Sequence, residues 1–301
     1  MRHVFIFERE EKGRFLRRLP QGLADYFTAE GGCYEVLAAG TPEEATRAAR
    51  EACLLPGEVR LYACGSDGLL HDVARGAAGF SHAAVGVIPG GGAHDFVDSL
   101  GRPALFRRID DQVKGCALPV DLLRVGADGL KEPEYALCHI AIGRPPSARL
   151  DAEPVRRMLL QMETDGEDAR AMDCFFGLCA NIPCWKGREC IQTADPGGGR
   201  MDFAFLPAGS RLFELTALDK FRQGRCAEVQ GVWQGACREM EIRAQAPFPF
   251  RLDGRPGQTR HMRIELAPRR LRLIFPGLSG ADCEKKSAGI ARRTALLASL
   301  S

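Results

Sequence analysis

Nowhere in this chain do eighteen apolar residues follow one another, so the sequence offers no segment that would cross a bilayer as a helix. The apolar run at 4–7 (VFIF) is too short for the core of a secretion signal, and charge rather than a small-residue cleavage site follows it. The expectation is a cytoplasmic protein, with peripheral contact at a membrane as the alternative. One-sided charge is also missing: 41 Lys and Arg face 39 Asp and Glu, a net charge of +2. That excludes the broad positive field that draws nucleic acid. No CxxC pair occurs among the twelve cysteines, and no histidine follows Cys174, Cys179, Cys184 and Cys190 at zinc-finger spacing. These thiols therefore read as reduced, buried, small apolar side chains. Internal repeats and low-complexity tracts are absent as well.

What is present is apolar content sufficient for two cores, 45% over 301 residues. Residues 3–7 and 33–39 read as strands with a helix over 13–28 between them. Thr41-Pro42-Glu43-Glu44 combines an N-cap hydroxyl, a proline at the first helical position and two acids, which predicts a helix over 45–53. Residues 59–64 (VRLYAC) form a strand running into a glycine turn, 69–78 are helical, and 83–89 (AAVGVIP) are a further strand. That alternation predicts an α/β domain with a parallel sheet over 1–118, whose ligands would bind at the carboxyl ends of its strands.

Beyond Pro119 the texture changes. Runs at 119–125, 134–143, 172–182, 201–206, 238–244, 248–252 and 262–266 read as strands with few helices between them. A second, β-rich domain over 119–276 is predicted, an antiparallel sheet or sandwich. Residues 277–301 are predicted to return to the first domain. Their helix over 285–300 has a basic and an apolar side, which suits packing on the body or lying on a membrane surface.

Two glycine loops carry the chemistry. Gly65-Ser66-Asp67-Gly68, between a strand and a helix, is a recipe for a phosphate site: glycine lets the backbone approach, and the free N–H groups of a helix start favour an anion. Asp67 would repel a bare phosphate and makes sense beside Mg²⁺ or a transferred proton. Pro89-Gly90-Gly91-Gly92-Ala93-His94-Asp95-Phe96 repeats the arrangement after the next strand. The bland reading, two structural turns, is weakened because both loops fall at one sheet edge.

Here the sequence resembles a family, the diacylglycerol kinase catalytic domain with its bacterial lipid kinases, which shares its glycine signature with NAD kinases. Residues 62–76 (YACGSDGLLHDVARG) resemble the family's vavGGDGTlnEvvnG, and 87–101 (VIPGGGAHDFVDSLG) resemble iiPlGTgNDFArsLG. Pro119-Val120-Asp121-Leu122 is similar to the iDlg strand, Phe175-Phe176-Gly177 and 194–202 to the middle stretch ending DDGlLD, and Leu252-Asp253-Gly254 to the late DGE turn. The resemblance implies a nucleotide-binding domain, a β-rich domain that presents a lipid or other small hydroxyl acceptor of the diacylglycerol type, and ATP with Mg as cofactors. It implies nucleotide contacts at Gly65, Ser66, Asp67, Gly68, Leu69, Gly91, Gly92, His94 and Asp95, and catalytic roles for Asp67 and Asp253. Metal ligands stay unassigned.

The departures bear on activity. The family's opening asparagine-proline-x-serine-glycine loop is replaced by Glu8-Arg9-Glu10-Glu11-Lys12-Gly13, which sets acids where phosphates would lie. Ser66 replaces a glycine, Leu69 and Gly92 replace threonines, and His71 and His94 replace asparagines. Gly198 replaces the second Asp of the middle stretch, which puts that family's structural magnesium site in doubt. Arg255 replaces the Glu that would take the acceptor's proton, and a guanidinium does not deprotonate in proteins. A weak kinase is one expectation, and a non-catalytic, regulatory nucleotide- or lipid-binding relative is the alternative. The pairs His71-Asp72 and His94-Asp95 raise a third class, a metal phosphohydrolase, although both follow strands and glycine turns rather than lying in an all-helical domain. The oligomeric state, a homodimer included, stays open.

Overall fold

Strand and helix alternate from the start of the computed structural model, which describes residues 1–9, 14–90, 94–101, 103–144 and 157–278. The first elements are β1 (Arg2–Glu8), α1 (Arg14–Glu30), β2 (Cys33–Ala39), α2 (Pro42–Leu54), β3 (Val59–Gly65), α3 (Asp67–Ala77) and β4 (Ala83–Pro89). Short helices α4 (Asp95–Ser99), α5 (Pro103–Phe106) and α6 (Ile109–Lys114) follow. Then come β5 (Cys116–Ala127), β6 (Glu134–Ala136), β7 (His139–Gly143), β8 (Met158–Thr164), β9 (Arg170–Ala180), β10 (Cys184–Trp185), β11 (Arg188–Glu189) and β12 (Met201–Pro207). Helix α7 (Arg211–Arg222) precedes β13 (Trp233–Cys237), β14 (Glu239–Leu252) and β15 (Arg255–Phe275). The chain divides into two units, Met1–Asp121 with Pro268–Ser301, and Leu122–Ala267. Gly91, Gly92 and the helix predicted over 285–300 lie outside the described residues.

In the first unit β2, β1, β3 and β4 pair in parallel in that order, and Leu273 of β15 pairs in parallel beside Val85. Leu16, Leu19, Leu23 and Phe27 recur at three- and four-residue spacing, so α1 buries one stripe against Phe5, Tyr62 and Ile88. Thr41 caps α2 by accepting the Glu44 N–H at 3.2 Å, while the Glu44 carboxylate accepts the Gly40 N–H at 2.7 Å. Helices α2 and α3 approach closely because residue 76 has no side chain: a Cβ there would lie 2.4 Å from the Thr46 carbonyl oxygen and 2.8 Å from Ala49 Cβ. Beneath α1, His3 Nδ1 and the Tyr62 hydroxyl share a 2.9 Å hydrogen bond. Burial, then the nearby Arg60 guanidinium, push His3 down to about 4. Arg60 itself donates to the carbonyls of Val113 (2.8 Å) and Gly115 (2.9 Å), closing the end of α6.

In the second unit the neighbours β13, β12, β9, β7 and β14 pair antiparallel, as do β14 and β15. Strands β7 and β8 lie end to end between β9 and β14, each pairing with a different stretch of both. The predicted strands 238–244 and 248–252 are one strand, β14, whose register shifts between Arg243 and Phe248. The predicted run 134–143 breaks into β6 and β7, and β8, β13 and α7 had no predicted counterpart. Strand β8 does alternate buried and exposed residues, but its Met- and Leu-rich composition holds a single β-branched residue, Thr164 at its end. Helix α7 starts with Ser210 accepting the Phe213 N–H at 3.3 Å and buries Ala217, Leu218 and Phe221 against Phe176 and Leu206. Cys174, Cys179, Cys184 and Cys190 are buried free thiols, and burial pushes Cys174 up to about 12.

Candidate functional site

The first unit's strand order reverses between β1 and β3, and parallel sheets place their ligand crevice outside the carboxyl ends of such a pair. Two residues meet there. Ser66, extended at φ −83° and ψ 170°, caps α3 by accepting the Leu69 N–H at 3.3 Å. Its hydroxyl donates to Oε1 of Glu8, the last residue of β1. Gly65 permits this closeness, since a Cβ on it would lie 3.0 Å from Leu69 Cδ2 and 3.1 Å from Glu8 Cδ.

The turn after β4 is tied to the same edge. Gly90 donates its N–H to the Gly65 carbonyl at 3.2 Å, and Asp95 donates its N–H to Asp67 Oδ2 at 2.6 Å. The other oxygen of Asp67 lies 3.5 Å from Nδ1 of His94, whose side chain is 4% exposed. Both atoms are buried and neither has a hydrogen-bond partner. Leaving two such atoms unsatisfied is costly, and a cation or a donor from a ligand would relieve Asp67. Nearby, burial first, and then the charges of Asp95 and Asp67, push the Asp98 carboxyl above its ordinary range, although the His94 backbone N–H opposes the shift.

Gly65, Ser66, Asp67, Gly68, His94 and Asp95 thus come together, while Gly91 and Gly92 are among the residues not described. Leu69 contributes only backbone: its side chain is 3% exposed, within the core, and its N–H is taken by Ser66. His71 and Asp72 are buried along α3, at 2% and 4% exposure, rather than at the glycine turn. Among the described residues no group of three or more His, Cys, Asp or Glu side chains gathers as metal ligands.

Asp253, expected to be catalytic, has a structural task in the fold. With Gly254 it forms the two-residue turn between β14 and β15, both at positive φ (45° and 92°), and Leu252 faces Arg255 across it. Its carboxylate accepts the backbone N–H groups of Leu137 (2.7 Å), Cys138 (2.9 Å) and His139 (2.7 Å). Both oxygens are committed to bracing the chain between β6 and β7. The second unit also holds a cavity of about 300 Å³ lined by both polar and apolar side chains, among them Thr193, Asp202, Phe203 and Gln234. Burial raises the Asp202 carboxyl, although the Thr193 hydroxyl, 2.5 Å away, opposes the shift.

One residue at the glycine edge escaped the sequence reading. Arg107, just after α5, donates to the Gly90 carbonyl at 2.8 Å and the Pro89 carbonyl at 3.4 Å. In the sequence it is one of two adjacent arginines with no motif around it.

Residues 3–125, which hold this whole edge, match the sequence model of the diacylglycerol kinase catalytic domain. The match takes in the glycine edge and less than half of the chain. A Xanthomonas euvesicatoria protein named "Probable lipid kinase YegS-like" is 27% identical over 248 residues, covering 72% of this chain and 79% of that protein. The diacylglycerol kinase of Bacillus subtilis is 32% identical over 132 residues, 42% of each chain. Among solved structures, a diacylglycerol kinase from Bacillus anthracis superposes with a TM-score of 0.70 at 17% identity, covering 92% of this chain and 97% of that one. An NAD kinase from Archaeoglobus fulgidus in complex with ATP gives 0.52 at 13% identity, over 92% and 94%. The two superpositions establish a shared mixed α/β fold. Among the described residues no helix is long and apolar enough to cross a membrane.

Proposed function

We propose that this protein is a slow ATP-dependent lipid kinase, binding Mg-ATP at the glycine edge of the first unit and phosphorylating a diacylglycerol-type hydroxyl held by the second. The observation that carries the reading is Asp67, with one oxygen fixed by the Asp95 N–H and the other buried beside His94 without a partner. Mg-ATP would supply the phosphoryl group and the neutralising cation. Asp67 would be the side chain that holds the cation, and the Asp95 N–H keeps its carboxylate oriented. The hydrogen bond from the Gly90 N–H to the Gly65 carbonyl ties the two loops together. Slowness follows from the same residues: Glu8 brings a negative charge to Ser66, Leu69 has no hydroxyl, Asp253 is committed to three N–H groups, and Arg255 cannot accept a proton. Peripheral contact with a lipid surface follows from this class of acceptor and belongs to the same proposal.

The test is transfer of label from γ-labelled ATP to a short-chain diacylglycerol in mixed micelles. The expected result is slow, Mg-dependent incorporation that Asp67→Ala abolishes. Incorporation no higher than that of Asp67→Ala would remove the kinase reading. A second reading, a nucleotide-binding relative without turnover, is favoured by the Glu8 carboxylate at Ser66, in the crevice where phosphates would lie. Under it, ATP would raise the melting temperature while no label reaches the lipid.

A further inference from the structure

The glycine edge is crowded with carboxylates. On the β1 and β3 side stand the carboxylates of Glu8 and Asp67, one on the Ser66 hydroxyl and the other on the Asp95 N–H. A polyphosphate laid against Gly65 and Ser66 would meet Glu8 head on, and like charges at contact distance repel strongly where solvent is thin. On the β4 side Asp95 and Asp98 follow the loop, and among the described residues Arg107 is the basic side chain that hydrogen-bonds the loop backbone.

Its surroundings set Arg107 apart from the other cations of that segment. Arg108 is paired with Asp111 at 2.9 Å, and Lys114 with Asp110 at 2.6 Å and Glu30 at 3.6 Å. Arg107 has no acidic partner among the described residues. Its hydrogen bonds run to the carbonyls of Pro89 and Gly90, and its guanidinium lies 5.8 Å from the centre of the Phe15 ring. Gly90 in turn donates to Gly65, so the guanidinium is two hydrogen bonds from the turn that carries Asp67. Neutral carbonyls orient a guanidinium without cancelling its charge, and a planar fork of five donors suits a phosphate. The side chain is exposed, so a ligand can reach it.

We infer that Arg107 is the phosphate-binding cation of this site, so that the nucleotide's phosphates lie on the β4 side and not against Gly65 and Ser66. The inference rests on the nucleotide reading for the identity of the ligand, though not for the existence of an anion site. Arg107 acts here as a binding residue that sets preference for polyphosphate, and Glu8 as the charge that keeps phosphate off the β3 turn.

The experiment measures binding of adenosine, AMP, ADP, ATP with Mg, and inorganic tripolyphosphate to the full chain by calorimetry, for the wild type, Arg107→Gln, Arg107→Lys and Glu8→Gln. If Arg107 holds phosphate, Arg107→Gln weakens ATP and tripolyphosphate by about tenfold or more and adenosine hardly at all, the size expected for losing a charged hydrogen bond. Arg107→Lys recovers part of that loss, and Glu8→Gln strengthens both anions. Equal weakening of adenosine and ATP would mean that Arg107 only shapes the loop, which overturns the inference, as would unchanged ATP binding in Arg107→Gln. Wild-type protein that binds tripolyphosphate through Arg107 but shows no preference for adenine nucleotides would leave the inference standing and remove the nucleotide reading. Failure to bind either removes both. Melting of each variant without ligand checks that the fold survives.

Discussion

The dipeptide Asp-Gly occurs at the centre of both glycine turns that the family resemblance marks as catalytic, at 67–68 in the first unit and 253–254 in the second, and the two aspartates are used in opposite ways. Asp253 sits at positive φ in a hairpin turn and spends both oxygens on three backbone N–H groups from residues 137–139. Asp67 opens a helix, spends one oxygen on one N–H and keeps the other buried without a partner. A carboxylate satisfied by three backbone donors braces the scaffold, whereas a half-satisfied one retains an acceptor that a ligand could use. The lesson is that residue type at a motif position names a capability, and the hydrogen-bond partners decide whether it is free to act.

The largest expected effect comes from breaking the satisfied turn. Asp253→Ala strands three backbone donors and should cost about 3 kcal/mol of stability. Asp67→Ala strands one donor, the Asp95 N–H, and should cost about 1 kcal/mol while removing Mg-dependent stabilisation by ATP. Urea unfolding of the two variants decides this, and comparable losses in both would erase the contrast drawn between the turns.

Acid probes the first unit separately, through a polar pair that is buried and satisfied without being charged. Folded His3 is held near 4, below its ordinary 6.5, so between those values the unfolded chain binds more protons than the folded one. Its contribution is complete above pH 6.5 and is lost as the pH falls toward 4, about 2–3 kcal/mol in all. His3→Gln should flatten this decline. The measurement is hydrogen exchange at Phe5 and Tyr62 against pH, and an equal decline in the variant would assign the acid sensitivity elsewhere.

The smallest effect separates the two glycines. Gly254 sits at φ 92°, where a side chain is strained, so Gly254→Ala should cost about 1–2 kcal/mol. Gly68 lies within α3 at ordinary φ, with no atom closer than 3.5 Å to an added Cβ. Gly68→Ala should be neutral or stabilise by up to about 1 kcal/mol. Thermal melts of both variants give the sign directly, and a loss in Gly68→Ala would indicate that the turn needs more than an open side.

The alternation of strand and helix through β4, the start of α2 at Thr41-Pro42-Glu43-Glu44 and the two glycine turns were legible in the sequence, because each is written in residues that are neighbours along the chain. So was the texture of the second unit, though less sharply. Strand β8 is poor in β-branched residues, whereas helix α7 does carry an N-cap serine and good helix formers, and the continuity of β14 across a shifted register depends on its partner strand rather than on its own residues. The likeness to the diacylglycerol kinase catalytic domain was likewise legible, since it rides on short motifs in a fixed order.

What only the tertiary structure decided is which charges meet. Glu8 reaches Ser66 across 58 residues of sequence, Asp67 meets the Asp95 N–H across 28, and Asp253 finds its three donors across 114 to 116. Arg107 reaches the carbonyls of residues 89 and 90 only because α4 and α5 turn the chain back on itself. Local propensity sets the elements, but a side chain's partner is fixed by how the elements pack, and electrostatic roles follow from the partner.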